Sequence, residues 1–241
     1  EELQAESWQL YEIDRQLDPE RIEDLRAKVL ASLGDVRVAV EDWMPMRRRV
    51  RALIDSLQND PPPLASDEVA EARGLLDWME GRHFVFLGYR YYRLERGTSE
   101  DRLVPDVRSG LGILRSSRSS NRPRPTILRG DVRARARERE VLIITKANSI
   151  ATVHRATYLD YLAVKTFGPR GEVSGEHRFL GLWTSTAYHS SPREIPVLRR
   201  KVEQVISYFG LDQASHDAKA VLNVLETYPR DELFQARVDE L

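Results

Sequence analysis

The chain contains no cysteine. Disulfides, thiolate metal sites and a cysteine nucleophile are therefore excluded. It has no apolar run near the ~18 residues that a membrane-spanning helix needs. Glu1-Glu2-Leu3-Gln4 is neither a basic nor an apolar leader, so no signal peptide is read there. The missing initiator Met fits a domain cut from a longer chain. Lysine is scarce, occurring only at 28, 146, 165, 201 and 219, so the positive charge rests on arginine. The net charge of -1 argues against a globally basic nucleic-acid binder. No phosphate-loop lysine, His-Glu-x-x-His pair or serine elbow is present. Gly110-Leu111-Gly112 lacks a third glycine at Arg115 and opens no helix, so it reads as a strand turn rather than a dinucleotide fingerprint. Ser215-His216-Asp217 are consecutive on a helix and point to different faces, so they do not form a catalytic triad; Ser215 reads as a cap. No catalytic residue, cofactor site or metal-ligand set is read from the chain. The cytoplasm is the expected compartment, with neither membrane nor nucleic acid as partner.

The remaining composition, 41% hydrophobic and 31% charged over 241 residues, suits a globular protein with one large or two small cores. Residues 7–14 alternate around Trp8, Leu10 and Ile13 and read as a strand. Asp18-Pro19 starts a helix, a capping carboxylate followed by proline where no donor is needed. Its stripe is Ile22, Leu25, Val29, Leu33, Val36 and Val40, and Pro45 is expected to interrupt it. A second helix carries Val50, Leu53, Ile54 and Leu57 up to the prolines at 61–63. A third runs from a Ser66 cap to Gly81.

From His83 the period changes to two. Strands are expected at 83–94, 103–107, 111–114, 141–145, 158–167 and 172–186, with a hairpin at Gly168-Pro169-Arg170-Gly171. Little helix separates them, so the pairing should be mainly antiparallel. Residues 116–125 hold no apolar side chain and are expected to be mobile. Ser191-Pro192-Arg193-Glu194 is a capping box, and Pro196 foretells an irregular first turn. Helices follow with Val197 to Phe209, then from Ser215, then near Asp231. The fold class is thus α+β: a helical connector, a mainly antiparallel five- or six-stranded sheet, and C-terminal helices. The divisions are 1–17, 18–80, 81–190 and 191–241.

Two clusters of charge bear on function. Lys146, Asn148, His154 and Arg155 follow a buried strand in a Thr/Ser-rich connection and could receive a carboxylate or phosphate. The competing reading is a solvated turn with surface charge. The arginines at 115, 118, 122, 124, 129, 133, 135, 137 and 139 have no aromatics between them to stack bases. Glu138 and Glu140 break their field, and a solvated loop leading to an exposed helix is the favoured reading.

Several segments carry a family resemblance. They are Ser7-Trp8 to Arg15, Val40-Glu41-Asp42-Trp43, His83 to Arg90, Thr145 to Ser149, Arg178 to Ser185, Ser190 to Pro196, Ser215 to Lys219 and Thr227 to Phe234. Together they resemble the N-terminal part of the large bacterial NAD-specific glutamate dehydrogenases. The resemblance implies a regulatory or architectural segment of such an enzyme. Residues 1–17 would be the tail strand of a preceding ACT-like domain, 81–190 a PAS-like sheet domain, and 191–241 helices leading to the next domain. NAD would belong to the parent enzyme, through a catalytic core outside this chain, with no cofactor in the fragment. The implied partners are the rest of the same polypeptide, further copies in a homo-oligomer, and an amino-acid effector. A stand-alone amino-acid sensor is the alternative.

Overall fold

The computed structural model describes residues 10, 12–115, 123–236 and 238. Half of the strand expected at 7–14 and most of the mobile segment expected at 116–125 lie outside them, and residues 10 and 12–14, which are described, are not in a strand. Helix α1 (Pro19–Glu41) begins as the sequence predicts, with the Asp18 side chain accepting the Glu20 N–H. It ends at Asp42 rather than at Pro45. Pro45 falls in the first turn of α2 (Trp43–Asn59), where the missing donor costs nothing. Helix α3 (Ser66–Trp78) runs into a π-helical turn, Met79–His83, in which Arg82 takes a left-handed φ of 80°. Ser66 is not the cap: that position is Ala65.

The sheet contains β1 (Phe84–Arg96), β2 (Asp101–Pro105), β3 (Leu111–Gly112), β4 (Thr126–Leu128), β5 (Leu142–Ile150), β6 (Tyr158–Phe167) and β7 (Val173–Trp183). Its order is β4-β2-β1-β7-β6-β5, with β3 paired to β1, and every pairing is antiparallel. The seven strands exceed the expected five or six because β4, a three-residue edge strand, carries too little pattern to be read. Helix α4 (Gly130–Arg137) separates β4 from β5. The last expected strand stops at Trp183, where Thr184 caps a short helix, α5 (Ser185–His189). Then come α6 (Leu198–Tyr208), α7 (His216–Thr227) and α8 (Arg230–Gln235). The Ser191–Glu194 box forms reciprocally, and Pro196 is followed by Val197 at φ 71° before α6 starts. Ser215 caps α7 by accepting the Ala218 N–H.

Side chains alternate between two covered faces. One face sends Phe84, Phe86, Tyr89, Ile144, Leu162, Val164, Phe179 and Trp183 into the main core. There they meet Met46, Val50 and Leu57 of α2, Leu75 and Leu76 of α3, Leu198, Val202 and Val205 of α6, and Leu233 of α8. Helices expected as a connector therefore share one core with the sheet along α2 and α3. The other face carries Leu87, Leu159 and Leu182 beneath Ala39 of α1, and Tyr92, Leu94, Leu103 and Val173 near Ala136 of α4. Leu87 sits at a register shift in β1, and its carbonyl accepts the N–H of Ile113 beside β3.

Candidate functional site

The four residues singled out from the sequence do not share one surface. Lys146 lies on β5, opposite Asp160 of β6. Its Nζ reaches Asp160 Oδ1 at 2.5 Å and Asp231 Oδ2 of α8 at 3.4 Å. Asp160 is 2% exposed and also accepts the Trp183 N–H at 3.0 Å. Burial alone would lower the Lys146 pKa, but the Asp160 hydrogen bond and the two carboxylate charges outweigh it and hold the ammonium charged. Arg155 donates to the Trp183 carbonyl at 2.8 Å and stacks its guanidinium over Tyr188 at 5.3 Å. Tyr188 also acts on Lys146 electrostatically, so both cations neighbour this residue while Arg155 alone is stacked on its ring. Asn148 and His154 face solvent, His154 with φ 75° in the β5–β6 connection.

This pair marks the seam between the sheet and the C-terminal helices. Phe234 stacks on Trp183 with centroids 5.5 Å apart, and Thr145 donates to Gln235 at 3.1 Å. Among the described residues an ion pair, a ring stack and a hydrogen bond thus hold helix α8 to β5 and β7, beside the burial of Leu233 in the main core. Lys201 of α6 closes the same end by donating to the carbonyls of Leu233, Phe234 and Ala236.

A second feature, not read from the sequence, is a cleft of about 570 Å³ between the end of α2 and the β6–β7 hairpin. Leu53, Leu57, Pro62, Val164, Thr166 and His177 line it. His177 Nδ1 lies 2.9 Å from the Tyr89 hydroxyl. Burial, with Arg49 nearby, lowers the His177 pKa to about 4, so the imidazole is neutral. Lys165 lines the backbone of the cleft but turns its ammonium to the other face, where it donates to the carbonyls of Arg135 and Glu138.

The described part of the arginine-rich stretch contains the expected exposed helix, α4, and several of its arginines are paired rather than solvated. Arg137 and Arg133 both hold Asp101, which is fully buried, and Arg129 holds Glu100. Asp101 is kept ionised down to about pH 2, chiefly by the Arg137 hydrogen bonds acting against burial. Arg115 grips Asp42 with two nitrogens at 2.5 and 2.6 Å and reaches Glu41 at 2.7 Å. The Gly112 N–H donates to the same Asp42 carboxylate at 2.7 Å. These arginines spend their charge on internal carboxylates between 29 and 74 positions away in sequence, which no local pattern displays.

Residues 195–241, which hold α6, α7 and α8, match the family model described as glutamate dehydrogenase, helical motif 1. Over 235 residues, 95% of the chain, it is 36% identical to the NAD-specific glutamate dehydrogenase of Halomonas elongata. Over 240 residues it is 35% identical to the protein of that name from Pseudomonas aeruginosa, and over 238 residues 24% identical to that from Mycobacterium tuberculosis. The matches support the NAD-specific glutamate dehydrogenase family. The chain spans only 14% of the Halomonas protein's length and 15% of the Pseudomonas protein's. The seam around Lys146 and Trp183 therefore joins the helices matched by the glutamate dehydrogenase model to the sheet that precedes them. Among the described residues, no helix is long and apolar enough to cross a membrane.

Proposed function

We propose that this chain is a non-catalytic regulatory and architectural segment of a cytoplasmic NAD-dependent glutamate dehydrogenase. The parent would convert L-glutamate to 2-oxoglutarate and ammonia. In this reading 81–190 is a PAS-like sheet domain, 1–17 ends an ACT-like domain, and 191–241 leads to the next domain. The observation that carries it is the Lys146–Asp231 contact across the seam. Lys146 is already matched by the more buried Asp160, so the outer carboxylate, Asp231, is the exchangeable one. An amino-acid effector would offer its own carboxylate to Lys146 and Arg155 and displace Asp231. That exchange would loosen α8 and alter what the helices present to the rest of the polypeptide.

Thermal shift against an amino-acid panel tests this. A ligand at 100 times its dissociation constant stabilises by about 2.7 kcal/mol. Arg155→Ala should abolish the shift with an unchanged circular dichroism spectrum. Asp231→Asn, which removes the internal competitor, should enlarge it. A panel with no shift at any amino acid would retire the effector site.

The cleft beside His177 favours a second reading, a stand-alone small-molecule sensor. With a neutral imidazole and the Lys165 charge turned away, it suits an uncharged, partly apolar ligand. A shift that survives Arg155→Ala but is lost in Ser56→Trp, which fills the cleft mouth, would select this reading.

A further inference from the structure

Helix α1 buries only Ala39, at its C-terminal end. Ile22, Val29, Leu33, Val36 and Val40 are 38% to 70% exposed, and Leu30 beside them is 58% exposed. Asp35 is on the body side, where it accepts from Thr152 at 2.7 Å. At ~100° per residue, Asp35 stands roughly 140° around the helix from Ile22 and Val40. The apolar stripe therefore looks outward. It covers five turns at ~3.6 residues each from Ile22 to Val40, so it stays on one line of a straight helix. Packing, not propensity, stabilises most protein helices of this kind, yet of this stripe only Leu25 is half-buried and the other five residues are exposed.

The stripe reads nearly the same in both directions. Ile22 and Val40 are equidistant from residue 31, as are Val29 and Leu33, and Leu25 and Val36 match within one position. A two-fold contact requires such a pattern, because residue i must suit residue j while j suits i. The flanking charges permit the approach. Arg26 is paired with Glu23, and Arg37 with Glu41 at 2.7 Å, so the flank carries no net charge against its own copy. Covering both stripes would remove roughly 1,000 Å² from water, the lower bound of specific interfaces.

We propose that α1 pairs antiparallel with α1 of a second copy of this chain, about a two-fold axis at the level of residue 31. Val29 then faces the partner's Leu33, and Ile22 the partner's Val40. An interface this small suits a weak, reversible dimer.

Sedimentation of the 241-residue chain from low to high micromolar concentration should show the mass rising from one copy to two. Leu33→Asp, at an exposed position, should remain monomeric with its circular dichroism spectrum intact. The chain has no cysteine, so introduced thiols report the register. A mixture of V29C and L33C should form a disulfide-linked dimer, and a mixture of I22C and V29C should not. A wild-type monomer at every concentration overturns the proposal, whatever other segment covers the stripe. A dimer that survives Leu33→Asp, or cross-linking of I22C to V29C, overturns it equally.

Discussion

His177 shows how a residue's surroundings decide its chemistry. It stands in the middle of β7, at the inner end of the cleft, against the rings of Tyr89 and Tyr91. In the unfolded chain it takes a proton below about pH 6.5, but in the folded protein only below about 4. The unfolded state therefore binds more protons between these values. This residue's contribution to stability is complete above about pH 6.5 and is lost as pH falls towards 4, at roughly 1.4 kcal/mol per pH unit. Urea unfolding at pH 7, 6 and 5 should show that fall in the wild type and a flatter line in His177→Gln. Asp101, whose pKa is lowered to about 2, titrates below this range and does not interfere. Equal slopes in the two proteins would mean that the imidazole is solvated and the cleft open. Nothing in the sequence singled out His177, because its neutrality comes from rings distant in the chain.

At the scale of elements, β3 shows tertiary contact overriding local pattern. Two residues make a strand only because β1 lies beside them and Asp42 waits at the end of α1. Gly112 has φ 59°, and a β-carbon there would meet the Leu87 carbonyl oxygen at 2.1 Å. Gly112→Ala must adopt a left-handed conformation, push β1 away and loosen the N–H bond to Asp42. A loss of at least about 2 kcal/mol is expected in chemical denaturation, from left-handed strain plus displaced backbone. A loss below about 0.5 kcal/mol, an ordinary surface effect, would show that the approach of β3 is not fixed. The sequence rightly made this glycine a strand turn. It did not indicate that Asp42, Arg115 and Gly112 form one buried knot tying α1 to the sheet. The stripe of α1 is the reverse case: its period is plain in the sequence, yet the fold leaves it bare.

At the scale of the molecule, the two glycines of the Gly110-Leu111-Gly112 turn are occupied structurally. The Gly112 N–H is committed to Asp42, and the space over Gly110 is filled by Arg90 and the Leu114 carbonyl. A pyrophosphate needs free backbone donors at a helix N-terminus, and this turn opens no helix. Calorimetric titration of the chain with NAD should therefore give no binding heat, and no glutamate-dependent absorbance change should follow. Micromolar NAD binding would refute the assignment of cofactor chemistry to another part of the parent enzyme.

Local chemistry was legible where local physics decides. The Asp18 and Ser215 caps, the β6–β7 hairpin, the change from helix to strand near His83 and the irregular turn after Pro196 all follow from hydrogen-bond needs within a few residues. Multi-residue words such as His83 to Arg90 also pointed to the family that the comparisons support. Three-dimensional proximity decided the rest. It placed Lys146 between Asp160 and Asp231, sent Arg137 and Arg133 to a buried aspartate, and left Asn148 and His154 in solvent. A charge's partner depends on which distant segment the fold brings alongside. Sequence spacing carries no record of that, so only the tertiary structure could choose between a free cation and one already matched.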